Sequence, residues 1–179
     1  MKTYLLATCF LTATITSASA GTIVLTNSSP NPYVGSTFTI SLNVAGNLIT
    51  DEIIGFGLNY SVNNGNILFQ SFAINPLFGA DLGLAPATLV AAVNFPGSTA
   101  PTVNLVDFTF LASSVGSSTF SVTSNPAGDL NQGLFVLGEL NARTIAQQLQ
   151  VDVQAVPEPS TFALVALAAG GMWMARRRA

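Results

Sequence analysis

The chain has 179 residues, of which 49% are hydrophobic and 7% are charged. This length leaves room for one ordinary domain plus processing segments. Between residues 21 and 155 a single cation, Arg143, stands against seven carboxylates. Nucleic acid and anionic lipid surfaces are therefore poor partner candidates, because phosphate neutralisation needs several cations on one face. The absence of histidine removes the commonest general base and excludes a Ser-His-Asp triad.

The first twenty residues have the pattern of a secretion signal. Lys2 supplies a positive start, an apolar stretch follows, and Ala18-Ser19-Ala20 is a small-residue cleavage pattern. We predict a signal peptide over residues 1–20, with Ala18 and Ala20 before the cut and Gly21 after it. A first strand or a membrane anchor is the competing interpretation, but the contiguous apolar residues are too few for a span. A lipoprotein signal at Cys9 is disfavoured because almost no apolar run precedes it.

Apolar and polar residues alternate through much of residues 21–155, which is typical of strands with one buried face. The clearest inward sets are Phe38, Ile40, Leu42 and Val44, followed by Ile54, Phe56, Leu58, Tyr60 and Val62. Shorter runs lie around Ile67, Phe108, Phe120 and Val151. Between two of these runs, Asn63-Asn64-Gly65-Asn66 contains the Asn-Gly pair that is favoured in tight hairpins. The pattern predicts an all-β, two-sheet antiparallel sandwich or jelly roll with eight or nine strands.

One segment, Leu137–Gln150, competes as a helix. Glu139, Leu140, Ala142 and Arg143 are residues that favour a helical turn. We expect one or two turns of helix here, before a final strand that contains Leu149, Val151 and Val153.

Three pieces of this region resemble the cohesin-like sandwich. Val34-Gly35-Ser36-Thr37-Phe38-Thr39-Ile40 resembles an early "V-G-D-x-F-x-V" strand of that family. Residues 54–60 resemble its "F-d-L-x-Y" strand, and residues 105–110 resemble a late strand, in the same order along the chain. The resemblance implies a cohesin-like sandwich over residues 21–155. Ser61-Val62-Asn63 stands where cohesins often carry Asp-Pro, which weakens the expectation of a dockerin-type partner.

The acidic residues are candidates for catalytic groups and for metal ligands. Asp129-Leu130-Asn131 offers oxygen ligands in a loop, but calcium needs six or more oxygens and Gln132-Gly133 adds no second carboxylate. A glycosidase pair would need two carboxylates roughly 5–10 Å apart, which the scattered carboxylates neither demonstrate nor exclude. We predict no catalytic residues, no metal, no cofactor and no enzymatic activity.

Two aromatic residues are candidates for contact with a ligand. Tyr33 and Phe95 both lie beside loop prolines, so their rings are expected to be exposed. Exposed rings are the platforms on which sugars stack. Packing at the edge of the core is the alternative interpretation for both.

The last residues have three parts in a fixed order. Pro157-Glu158-Pro159 is followed by an apolar run over residues 162–175 and then by Arg176, Arg177 and Arg178. As a helix the run would span roughly 21 Å, which is short of a hydrocarbon core of about 30 Å. It therefore predicts a short transmembrane helix that anchors the chain transiently, with the arginines on the cytoplasmic side.

This order of elements resembles the PEP-CTERM family of sorting signals. The resemblance implies processing by an exosortase-type membrane peptidase near Pro157-Glu158-Pro159, in bacteria that make extracellular polysaccharide. A plain C-terminal membrane tail is the alternative. The predicted organisation is a signal peptide at 1–20, a sandwich at 21–155 and a sorting tail at 156–179.

Together these features predict an exported protein of the cell surface or extracellular matrix. Its expected partners are the export machinery, an exosortase-type peptidase and exopolysaccharide, with the membrane contacted through the tail before processing. The alternative is a carbohydrate- or protein-binding module that uses loops at one end of the sandwich.

Overall fold

The computed structural model describes residues 21–46, 51–84 and 88–156. The strands in these ranges are β1 Thr22–Asn27, β2 Thr37–Ala45, β3 Ile53–Asn63, β4 Ile67–Ile74, β5 Leu89–Ser98, β6 Thr102–Ala112, β7 Gly116–Thr123, β8 Gly133–Val136 and β9 Ala146–Val153. A 3₁₀ turn, Pro76–Phe78, follows β4. Ala18 and Ala20, the motif Pro157-Glu158-Pro159 and the predicted helix 162–175 with Arg176–Arg178 lie outside the described residues. Within the described ranges, no helix has the length and apolar character that a membrane span requires.

The strands form two antiparallel sheets. One sheet has the order β1-β2-β6-β4, and the other has the order β5-β3-β7-β9. The short strand β8 belongs to the second sheet, where it pairs with the first half of β3 while β7 pairs with the second half. The prediction of an all-β, two-sheet antiparallel sandwich is confirmed, with nine strands.

The core lies between the sheets and is filled by every second side chain. On β2 the predicted alternation is confirmed, and its inward side chains are at most 3% exposed: Phe38, Ile40, Leu42 and Val44. The sheets meet through phenylalanine rings. The Phe120 ring on β7 lies 5.0 Å from the Phe108 ring and 5.1 Å from the Phe110 ring, both on β6. Burying a side chain of this size contributes about 1.5–3 kcal/mol.

Strand β3 departs from the predicted alternation near its start. The alternation predicts that Ile54 faces inward with Phe56 and Leu58, but Ile53 is the fully buried residue and Ile54 is only half-buried. The pairing of β3 with both β5 and β8 shifts register between Ile53 and Gly55. Since an extra residue in a strand reverses the side-chain direction, the bulge places Ile54 on the outer face.

The turn Asn63-Asn64-Gly65-Asn66 is not a hairpin, contrary to the prediction. The strands that it joins, β3 and β4, belong to different sheets, so the chain arches from one sheet to the other. Asn64 has a φ of 63°, a conformation that asparagine tolerates better than most residues. The arch is held from the side by Ser113, whose Oγ donates to the Gly65 carbonyl oxygen at 2.9 Å. Asn66 completes this contact by donating to the Ser117 carbonyl oxygen at 3.0 Å.

The helical turns expected within Leu137–Gln150 are absent from this fully described segment, and β9 begins at Ala146. Instead, the backbone of Arg143 pairs with that of Leu134 through two hydrogen bonds of 2.8 and 2.9 Å. Glu139 and Arg143 have the four-residue spacing of a helical ion pair, but they form that pair across a loop. Pairing with β8 therefore overrides the local helix preference.

The loops gather at two ends of the sandwich, which we name the tail end and the far end. At the tail end β2, β4 and β7 begin and β9 ends, as the partners Ile67↔Ala112 and Gly116↔Val153 indicate. At the far end β3 and β6 begin, and β2 ends with the pair Ala45↔Thr102. Because β3 has 11 residues, roughly 30 Å separates the two ends.

We expect Phe108→Ala to lower the free energy of unfolding by about 3–5 kcal/mol, because it leaves a cavity where the sheets meet. Phe95→Ala is the matched control, since the Phe95 ring is 84% exposed. Its effect should stay within about 0.5 kcal/mol. Urea unfolding of the mature protein measures both values, and equal effects would contradict this account of the core.

Candidate functional site

An apolar groove crosses the outer face of the second sheet, where β3 lies between β5 and β8. It consists of two adjoining cavities of about 350 Å³ and 250 Å³. Both are lined by Ile54, Leu130 and Phe135. The larger cavity extends along the far-end loops at residues 126–127 and 139–142. The smaller one is completed by Leu82, Leu84, Ala91 and Val93.

The groove depends on a glycine in β3. Gly57 points to the outer face, and a Cβ atom there would overlap the carbonyl oxygen of Asn131. The missing side chain lets the loop after β7 lie directly on the strand. Leu130, one position earlier in that loop, is consequently held over the sheet with 87% of its surface exposed.

Asp129 and Gln132 hold this loop in shape. Asp129 accepts from the Asn131 N–H at 2.9 Å and from the Gln132 Nε2 at 3.1 Å, and Gln132 accepts from the Asn125 N–H at 2.9 Å. The Asn131 bond and then the Gln132 bond lower the pKa of Asp129. Because the pKa of Asp129 lies below its ordinary value, these bonds stabilise the loop fully at any pH above the ordinary aspartate pKa. The stabilisation is lost as the pH falls through the lowered pKa.

A second loop at the far end carries another exposed leucine. Leu140 is 100% exposed and lines the larger cavity beside Glu139. Arg143 ties this loop to the start of β3, because its Nη2 donates to Asp51 at 3.1 Å and its Nε donates to Glu139 at 2.9 Å. The Glu139 hydrogen bond is the main cause of a raised pKa at Arg143, with a smaller contribution from Asp51.

The two leucine loops share a sequence pattern that our prediction from sequence missed. Gly128-Asp129-Leu130-Asn131 and Gly138-Glu139-Leu140-Asn141 have the same order of glycine, acid, leucine and asparagine, ten positions apart. Each pattern places a large apolar side chain among turn-forming residues, where burial is not expected. That repetition is the signal from which Leu130 and Leu140 could have been identified. Ile54 carried no comparable signal, because its exposure depends on the bulge in β3.

The two aromatic candidates are both exposed but lie far apart. Tyr33 is 44% exposed at the tail end, where it forms a bridge with Gln154. Phe95 follows Val93 on β5, a strand that ends at the far end through the pair Ile53↔Ser98. The structure does not bring the two rings together, and a role for either in ligand contact stays a prediction. The rings do not form one shared platform.

The carboxylates are dispersed over the described part of the chain. In it, no three histidine, cysteine, aspartate or glutamate side chains cluster as a metal site would require. Both oxygens of Asp129, the calcium candidate, accept hydrogen bonds within their own loop. Glu52 accepts from the Gly97 N–H at 2.7 Å, so it braces the bulge between β3 and β5.

Comparison with known proteins identifies both the tail and the fold. The PEP-CTERM protein-sorting motif matches residues 155–178. A cohesin module from a family 33 glycoside hydrolase of Clostridium perfringens superposes with a TM-score of 0.60 at 11% identity, covering 76% of this chain and 98% of the module. This chain joins a PEP-CTERM sorting motif to a cohesin-like sandwich. None of the curated proteins matches it at a significant level.

CaCohA2 from Clostridium acetobutylicum is a second structure similar to the cohesin-like domain, with a TM-score of 0.51 at 11% identity, over 77% of this chain and 94% of that one. A complex of CaDoc0917 with CaCohA2 also matches, with a TM-score of 0.51 at 13% identity, over 74% of this chain and 100% of that chain. At these identities the likeness shows the fold alone. The sorting motif shows more: the protein is exported to the cell surface, is anchored transiently in the membrane, and is a substrate for an exosortase-type peptidase.

Gly57→Ala should lower the free energy of unfolding by about 1–3 kcal/mol, because the added methyl group must push the Asn131 loop away from β3. Faster amide hydrogen exchange is expected at residues 129–132. Gly65→Ala is the matched control, since a Cβ atom there has no neighbour within 4 Å. If both variants unfold at the same urea concentration, the loop does not rest on β3 as described.

Proposed function

We propose that this protein is a non-catalytic binding module of the cell surface, which holds a partner protein in the apolar groove. The observation that carries the proposal is the pair of exposed leucines, Leu130 and Leu140, beside a groove whose shared lining is apolar. Large exposed apolar side chains grouped around a concavity are characteristic of protein-binding sites.

The chemistry of the groove favours a protein segment as its occupant. Its shared lining, Ile54, Leu130 and Phe135, offers apolar contact and few polar groups that would match a sugar's hydroxyls. Asp129 and Glu139 stand next to the two leucines, and Arg143 is the sole cation between residues 21 and 155. The matching partner is therefore an apolar segment flanked by basic residues. The complex of CaCohA2 with CaDoc0917 gives a precedent for protein binding on this fold.

Association with exopolysaccharide is a second candidate, supported by the surface outside the groove. The side chains of β2 that alternate with the core residues are neutral and polar: Thr37, Thr39, Ser41 and Asn43. No lysine occurs after Lys2. A hydrated neutral surface of this kind suits a protein embedded in a polysaccharide matrix.

Processing at both ends can be tested on the protein recovered from the cell surface. We expect intact-mass analysis to find a chain that starts at Gly21 and ends near Pro157-Glu158-Pro159. Replacing these three residues with alanine, or Arg176–Arg178 with glutamine, should leave the uncut precursor in the membrane. A mature chain that still ends at Ala179 would refute processing of the tail.

Partner binding can be tested with a photoreactive phenylalanine analogue at position 130 in intact cells. We expect one discrete protein adduct, whose yield Leu140→Asp lowers at least about tenfold because a buried charge opposes apolar contact. The matched control is the analogue at position 68, since Leu68 is 47% exposed on the other sheet. Adducts that form equally at both positions would refute the groove as the binding site.

A glycan array separates the two candidates. Saturable sugar binding that is lost in Tyr33→Ala or Phe95→Ala, but not in Leu140→Asp, would favour the carbohydrate alternative over the groove.

A further inference from the structure

The point at which the chain leaves the sandwich is clamped by backbone hydrogen bonds. Gln154 donates its N–H to the Pro32 carbonyl oxygen at 2.9 Å and accepts from the Val34 N–H at 3.0 Å. These bonds form the bridge between Tyr33 and Gln154 at the tail end. The clamp determines where the following residues begin.

The clamp lies very close in sequence to the sorting motif. Pro157 is three positions after Gln154, so even a fully extended chain carries it only about 10 Å from the clamp. The apolar run begins at Phe162, eight positions after Gln154, within about 27 Å. A peptidase that cuts near Pro157-Glu158-Pro159 must therefore work directly beside the folded domain.

Unzipping β9 would not give the peptidase much more room. Val153 is 3% exposed and Val151 is fully buried, so peeling the strand back beyond Gln154 would uncover the core. Val153 is also paired with Gly116 of β7. Opening the chain beyond Gln154 would therefore sacrifice core burial.

Two exposed side chains flank the exit of the chain. Tyr33, 44% exposed, belongs to the bridge with Gln154, and Val115, 59% exposed, precedes the residue that pairs with Val153. The adjoining arch at Asn63–Asn66 is braced by Ser113 and Ser114, whose hydroxyl groups donate to Gly65 and Asn66 at 2.9 and 2.8 Å. Tyr33, Val115 and Asn64 together form what we call the exit surface.

We propose that the exit surface docks on the outward face of the exosortase-type peptidase while the tail is cut, so that the folded domain contributes to substrate recognition. This inference rests on the proposed processing near Pro157-Glu158-Pro159. Tyr33 and Val115 provide apolar contact on either side of the exit, and the braced arch gives the surface a fixed shape. The groove, beside the first half of β3, shares no residue with the exit surface.

The experiment compares processing rates of the full-length chain in its native host by pulse-chase labelling and intact mass. Tyr33→Asp with Val115→Asp should slow cutting at least about tenfold, because two charges replace apolar contacts. Leu137→Asp is the matched control, since Leu137 is 50% exposed but belongs to the far end. It should be cut at the wild-type rate.

A second set of chains carries a flexible insert of about ten Gly and Ser residues after Val156, which adds roughly 17 Å of average reach. With the insert, the cutting rate of the double variant should lie within about twofold of the cutting rate of the wild-type chain that carries the same insert, because the domain no longer has to touch the peptidase. This rescue also shows that the double variant is folded and exported. The proposal would be overturned if the double variant without the insert were cut at the wild-type rate. It would also be overturned if the insert left the slow cutting of the double variant unchanged. A wild-type chain that is never cut would instead show that the processing assignment itself is wrong.

Discussion

The contact between the phenylalanine rings of β6 and β7 is the interaction on which the rest of the structure depends. Phe108 and Phe110 from one sheet meet Phe120 from the other, with ring centroids 5.0–5.1 Å apart. The chain's single cysteine, Cys9, lies in the predicted leader, so the sandwich has no disulfide. With one cation between residues 21 and 155, ion pairs contribute little beyond the Arg143 contacts. Apolar burial and strand pairing therefore provide most of the stability.

Strand β3 connects this core to the groove. Phe56 and Leu58 face inward and are at most 1% exposed, so the intervening Gly57 must face outward. The absence of a side chain there admits the Asn131 loop, and the bulge before Gly55 turns Ile54 to the same face. The groove is thus a consequence of how one strand distributes its side chains between the core and the outside.

The core was predictable from the sequence because it depends on a local pattern. On β2 the period of two runs without interruption, and it identifies each buried residue correctly. The errors lie where a distant partner decides the outcome. The alternation predicts the wrong face for Ile54 because its bulge arises from pairing with β5 and β8. The turn chemistry at Asn64 favours a hairpin because an arch between two sheets uses the same residues. Around Arg143, the backbone pair with Leu134 outweighs the helical preference of the surrounding residues.

The groove was harder to predict for a related reason. An exposed leucine in a loop becomes part of a site only when the fold brings it beside others, and this depends on the contact between Gly57 and Asn131. The repeated Gly-acid-Leu-Asn pattern marks Leu130 and Leu140 as unusual, but it does not show that they lie beside one cavity. The sorting tail, by contrast, was recognisable in full, because sorting machinery reads it as a linear order of residues.

The direction of β9 sets the relation between the groove and the tail. Since β9 is antiparallel to β7, which begins at the tail end, β9 must finish there, and the clamp at Gln154 holds the exit in that position. The leucine loops follow β7 and precede β9, which places them at the far end. The groove lies beside the first half of β3 and reaches Gly57, so roughly 20 Å of paired strand separates it from the tail end. The groove and the clamp at Gln154 share no residue, and the antiparallel strands β3, β7 and β9 connect them.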